Sequence, residues 1–175
     1  MYLYIKMKNV IFNALNNYKT SAPSPSIPDG KYYVHSMIDD DYVWDIDMNS
    51  WNLLLWKKHG RKNQQFIFKY IGNGLYSISN VANGKYLECQ WNRTNNGANV
   101  HTNNFNDIQA QHWYISKRDT LFKKNLITVY PELGYMNMRR CIDLTWANAS
   151  TGVNIYLWAE NGTNAQVWRL EPIDD

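Results

Sequence analysis

Few residues in this chain have the types and spacing that chemistry needs, and those that do recur. His35, His59, His101 and His112 and the acidic run DDD at 39–41 are titratable. They compose no set of nucleophile, base and orienting group, so catalysis has no visible machinery. Cys89 and Cys141 are the only cysteines and have neither metal-ligand nor CxxC spacing, so no metal and no cofactor is expected. What does recur is a glutamine two places ahead of an aromatic: Gln64 before Phe66, Gln111 before Trp113, Gln166 before Trp168. An acid at the end of a short apolar stretch recurs in step, as Asp45 in YVWDI, Glu88 in KYLEC and Asp143 in RCIDL. The chemistry within reach of such groups is hydrogen bonding by carboxylates and amides.

The glutamines are 47 and 55 residues apart and the acids 43 and 55. Two ladders therefore give the same three units, about 29–71, 72–118 and 119–175. Eight residues before each glutamine stand Trp56, Asn103 and Trp158; the acid precedes that position by 15 residues in units two and three and by 11 in unit one, whose loop is four residues shorter. Short alternating stretches (KYYVHSM, LYSISNV, LITVYP, NIYLW) separated by GNG, NNG, STG and ENG read as strands and turns, which makes the repeats all-β. Side chains two apart share a strand face, so Phe66, Trp113 and Trp168 are expected in one core, with their glutamines tying strand to loop.

A chain of 175 residues is one domain's worth and can bury a core without disulfides or metal. Its 13 Tyr and 8 Trp suit both a core and a surface for polar ligands. The net charge is +3, and the densest basic cluster, KKHGRK at 57–62, is no continuous basic face; nucleic acid is not an expected partner. No apolar run approaches membrane-spanning length, so membrane insertion is not expected either. Residues 1–28 differ from the rest: NVIFNALNNYK has the character of a short helix, and SAPSPSIP that of an extended linker. They read as an arm and linker ahead of the repeat domain at 29–175.

The stretch CIDLTWANASTGVNIYLWAENGTNAQVW at 141–168, with weaker echoes at 43–66 and 86–113, resembles the ricin B-type lectin family. The resemblance implies a β-trefoil of three four-stranded repeats, half of the strands closing a short barrel and half capping it as hairpins. It also implies a shallow sugar site in each lobe, made by the acid, the aromatic eight residues before the glutamine, and an amide near it. In the third lobe these are Asp143, Trp158 and Gln166, with Asn164 and Asn161 as amides because Ala165 stands where the family usually has Asn. In the first they are Asp45, Trp56, Asn63 and Gln64. The second lobe, with Glu88 and Asn103, is expected to keep its core and lose its sugar. A pyranose edge offers hydroxyls to carboxylate and amide, and its C–H face packs on an aromatic ring.

By the same resemblance the ligands are galactose- or N-acetylgalactosamine-type glycans on glycoproteins or glycolipids, the module is not an enzyme, a toxin or glycosidase domain is its partner, and it is secreted or extracellular. No disulfide forms within the third lobe. The alternative is a β-trefoil that binds protein instead, as a protease inhibitor or toxin-complex subunit, anchored by the loop tryptophans Trp51, Trp91 and Trp146.

Overall fold

The computed structural model describes residues 24–174; the helix expected within the N-terminal arm lies outside the described residues. Each repeat supplies four strands: β1 (Gly30–Ser36), β2 (Tyr42–Ile46), β3 (Leu53–Lys57) and β4 (Phe66–Gly72); β5 (Leu75–Asn80), β6 (Tyr86–Cys89), β7 (Ala98–Asn103) and β8 (His112–Lys117); β9 (Leu126–Pro131), β10 (Arg140–Leu144), β11 (Val153–Ala159) and β12 (Trp168–Pro172). Alternation sets the faces. In β7, Ala98, Val100 and Thr102 are buried and the residues between them are not. Where β4 passes to β5, Asn73 and Gly74 both have positive φ (53° and 80°), the two-residue turn that Asn-Gly favours between twisted antiparallel strands.

Pairings β1–β4, β4–β5, β5–β8, β8–β9, β9–β12 and β12–β1 close a six-stranded barrel, which leaves those strands without an open edge. The hairpins β2–β3, β6–β7 and β10–β11 cap it, joined to one another by β11–β3, β11–β7 and a bridge from Asn52 to His101. This is the expected β-trefoil. On the pseudo-threefold axis Asn99 Nδ2 donates to Asn52 Oδ1 (2.5 Å), Asn52 Nδ2 to Asn154 Oδ1 (2.7 Å) and Asn154 Nδ2 to Asn99 Oδ1 (3.2 Å). Each lobe thereby satisfies an amide of the next.

Phe66, Trp113 and Trp168 are fully buried, as their motif predicts. The glutamines differ from expectation in one respect: Gln64, Gln111 and Gln166 end single 3-10 turns, and the strands begin after them. The indole N–H groups of Trp113 and Trp168 donate to the carbonyls of Leu87 and Ile142, the residues just before the acids. In the first repeat the sizes are exchanged. Phe66 is the smaller motif aromatic, and Trp44 fills the position before Asp45, edge-on to Phe66 at 5.6 Å and to Trp168 at 5.3 Å. Its Nε1 is buried without a hydrogen-bond partner among the described residues.

One residue of the expected linker belongs to the core. Ile27 is 5% exposed, its N–H donates to Tyr76 Oη, and its carbonyl accepts from that hydroxyl, both at 2.9 Å. The folded unit therefore begins before Asp29. A chain shortened to start at Asp29 should lose about 2–5 kcal/mol in urea unfolding, the range for emptying a buried Ile site, while one starting at Ser24 should not. Trp168→Ala should cost about 3–5 kcal/mol by the same measurement.

Candidate functional site

Antiparallel register places the three acids equivalently. Asp45 faces Leu54, Glu88 faces His101 and Asp143 faces Tyr156. Two residues on, Trp56, Asn103 and Trp158 lie on the same strand face. The loop that is four residues shorter in the first repeat is absorbed in the β2–β3 turn at 47–52, so Trp56 keeps the same offset from its acid as Trp158.

Each motif glutamine is a buried clamp. Gln166 Nε2 donates to Asp143 Oδ2 and the Ala159 carbonyl, both at 2.8 Å, and its Oε1 accepts from the Asn161 N–H. Gln111 does the same with Glu88 Oε2, the Asn104 carbonyl and the Asn106 N–H. Gln64 holds the Lys57 carbonyl and the His59 and Gly60 N–H groups. Gln64 and Gln166 were expected to touch sugar. With every polar atom committed and the side chains at 0% and 1% exposure, they position the acid and its loop instead.

The three carboxylates end in different states. Glu88 has both oxygens engaged: Oε2 accepts from Gln111, and Oε1 from Asn103 (3.2 Å) with His101 Nε2 at 3.3 Å. Asp143 accepts only the Gln166 bond, at Oδ2, and among the described residues its Oδ1 takes none. Burial with so little compensation pushes its carboxyl up to about 6. Asp45 lies between these extremes. Burial raises its pKa, opposed by hydrogen bonds and by the charge of His59; Asn63 Nδ2 donates to Oδ1 at 2.8 Å, and Oδ2 is buried 3.3 Å from His59 Nε2 with no hydrogen-bond partner among the described residues.

Asn63, expected as a sugar-contacting amide, donates its Nδ2 to Asp45 Oδ1 and the Ile46 carbonyl, while in the third lobe the equivalent Ala165 is buried and supplies no amide. Asn161 Oδ1 accepts from the N–H and hydroxyl of Thr163, so that oxygen is spent within the turn, and Asn164 is exposed beside it. Trp158 is half-buried and tilted against Tyr156, ring centroids 5.4 Å apart; Trp56 is 39% exposed. Asp45, Trp56, His59, Arg61 and Asn63 line a cleft of about 450 Å³. A wider groove of about 640 Å³, walled by Tyr114, Tyr130 and Tyr135, contains no carboxylate.

Sequence reasoning passed over His59, His101 and Tyr156. For His101 and Tyr156 a signal existed, since each stands two residues before the position eight ahead of the glutamine and so shares its strand face. The DDD run is structural: Asp39 Oδ1 accepts the Asp41 N–H, and both Asp40 oxygens accept from Arg169 at 2.7 Å. Cys89 and Cys141 are buried free thiols, and burial pushes the Cys141 thiol up to about 12. Among the described residues no group of three His, Cys, Asp or Glu side chains could hold a metal, and no helix is long and apolar enough to cross a membrane.

Comparison with known proteins bears on the fold. Residues 62–128 match the family model of the ricin-type beta-trefoil lectin domain-like group. A search of curated proteins finds no match. Among solved structures, the designed threefold-symmetric protein ThreeFoil superposes with a TM-score of 0.72 at 23% identity over 83% of this chain and all of that one. The Macrolepiota procera ricin B-like lectin, in complex with lactose, gives 0.69 at 17% identity over 85% of this chain and 99% of that one. A mosquitocidal holotoxin gives 0.71 at 18% identity over 85% of this chain but only 18% of its own. At these identities the likeness is one of fold. The chain is thus similar in sequence to the ricin-type lectin-like group over 62–128, and its fold is a β-trefoil.

Proposed function

We propose that the protein is a non-catalytic, extracellular lectin module that binds galactose- or N-acetylgalactosamine-type glycans, strongest in the third lobe, more weakly in the first and not in the second. The observation that carries this reading is the state of the three carboxylates. Asp143 keeps an oxygen free for a sugar hydroxyl beside the Trp158 ring. Asp45 has one oxygen taken by Asn63 and the other buried 3.3 Å from His59. Glu88 has both oxygens spent on protein donors, so a sugar there would break bonds as good as those it made.

The lactose-bound relative supports the ligand class, and the holotoxin supports service as the binding part of a larger toxin or glycosidase. A shallow site with a few hydrogen bonds and one stacking contact gives affinities on the order of millimolar, about 4 kcal/mol, so useful retention on a glycoprotein requires both lobes or an attached partner. Buried thiols suit an oxidising exterior, because the thiolate that reacts is suppressed.

Binding to immobilised asialoglycoprotein tests the assignment. Asp143→Asn and Trp158→Ala should each weaken it while the protein stays folded, Trp56→Ala should weaken it less, and Asn103→Ala should leave it unchanged. The double change of Trp56 and Trp158 to Ala should abolish it; retention by the folded double variant would contradict the reading.

The affinity should also depend on pH. Hydroxyl donors favour the ionised Asp143, so galactoside affinity should fall as pH drops through about 6 and become flat in Asp143→Asn, as titration calorimetry would show. Stability runs the other way. A carboxyl raised in the folded state contributes stability below its unfolded value of about 3.9 and loses it as pH rises through about 6. Sugar-free Asp143→Asn should therefore melt no lower than the parent at pH 7.5.

A further inference from the structure

The turn between β8 and β9 puts two large apolar side chains into solvent side by side. Leu121 is 83% and Phe122 91% exposed, the only exposed large apolar residues adjacent in sequence among the described residues. Trp91, Met136 and Trp146 are exposed singly, and a lone surface hydrophobe needs no explanation. The pair is held out by a built turn. The Thr120 N–H donates to the Lys123 carbonyl at 2.8 Å, and the Lys123 N–H to Thr120 Oγ1 at 3.0 Å, so Leu121 and Phe122 occupy the two positions at the tip. Behind them Asp119 Oδ1 accepts the Leu126 N–H at 2.9 Å, and the Arg118 N–H donates to the Leu126 carbonyl at 2.7 Å. Leu126 and Ile127 are buried, which ties the tip to the barrel core.

Positive charge is concentrated on the same turn. Residues 117–124 carry Lys117, Arg118, Lys123 and Lys124 against Asp119, a balance of +3 that equals the net charge of the whole chain. Arg118 is spent on Tyr130 and Glu160, while Lys117, Lys123 and Lys124 are exposed. Beside Phe122, Lys123 and Lys124 line a cleft of about 450 Å³ that also contains Arg169 and Asp40. The last two close on each other through two bonds of 2.7 Å, so the cations left to an anionic ligand there are the two lysines.

We propose that the β8–β9 turn docks the protein on an anionic lipid bilayer, with Leu121 and Phe122 entering the boundary between headgroups and acyl chains and Lys123 and Lys124 meeting lipid phosphates. A projecting apolar tip needs a matching pocket on a protein partner, whereas hydrocarbon asks for no complementary shape, and headgroup phosphates complement the lysines that flank the tip. The protein lies on the membrane and does not cross it. The N–H groups of Thr120 and Lys123 are bonded within the turn, so its entry leaves few backbone groups without partners. Neither signal suffices alone, because a small apolar anchor binds marginally until a basic patch adds its attraction. The proposal does not rest on the sugar sites. β8 runs six residues from the Gln111 clamp to this turn, about 20 Å of strand, which puts the turn at the far end of that strand from the second-lobe acid.

The test is cosedimentation of the whole protein with vesicles free of glycan, made of phosphatidylcholine alone or of phosphatidylcholine mixed with phosphatidylserine. Residues 1–23 stay in every variant, so differences between variants report the turn alone. Binding to the mixed vesicles should exceed binding to neutral ones by about tenfold or more at low salt and fall as salt screens the lysines. Two double changes, Leu121→Ser with Phe122→Ser and Lys123→Gln with Lys124→Gln, should each weaken it about tenfold or more. The melting temperature should hold in both, because all four side chains are exposed. Met136→Ser, which removes an apolar side chain 90% exposed elsewhere, should bind as the parent does. No binding to either vesicle, binding that ignores lipid charge or survives either double change, or an equal loss in Met136→Ser would overturn the proposal. So would a parent protein that sediments as a dimer without lipid and becomes a monomer when Leu121 and Phe122 are changed, since the occupant of the tip would then be a second copy of the chain.

Discussion

The buried glutamine clamp is the interaction on which the rest of this structure depends. A primary amide inside a protein must satisfy two donors and an acceptor or lose more than the bonds return. Each motif glutamine does so with a carbonyl seven residues back and an N–H five residues back. That closes the loop following the third strand of the repeat and fixes the entry of the fourth. In repeats two and three the remaining donor goes to the acid. Two residues later the aromatic plugs the core, its indole bonded to the carbonyl just before that same acid. In these two repeats one short motif therefore ties the core, the loop and the buried carboxylate into a single unit.

Symmetry then supplies three such units, and divergence decides what each one does. The barrel and the asparagine ring on the axis need all three lobes alike. The surroundings of the acids do not, so the side chains there are free to differ. His101 and Asn103 convert the second carboxylate into an internal structural group. Tyr156 and Trp158 leave the third one desolvated but underused. A carboxylate in that condition is costly to the free protein and has an oxygen open to a donor.

Much of this was legible in the sequence because it follows from spacing. The Gln-x-aromatic ladder and the acid ladder gave the repeats and the core aromatics, and the strand count followed from the β-trefoil resemblance. Contacts made across strands were not legible. Glu88 is 13 residues from His101, and only the hairpin register brings them together. The exchange of sizes between Trp44 and Phe66 is hidden because each is an unremarkable core residue alone. Ile27 was misread because Ser and Pro around it have linker composition, whereas one apolar side chain and two hydrogen bonds to Tyr76 suffice to dock the segment. The tie of Gln64 and Gln166 from strand to loop was legible from the motif; the sugar contact that the resemblance added for them was not compatible with their burial, which residue type does not show.

A crystal structure of the protein soaked with lactose tests the central claim most directly, namely that the free valence of each buried acid decides which lobe binds. The account predicts a galactose ring in the third lobe with a hydroxyl within hydrogen-bond distance of Asp143 Oδ1 and its apolar face on Trp158, weaker occupancy beside Asp45, and an empty second lobe. A sugar bound at Glu88 while the Asp143 site stays empty would contradict it.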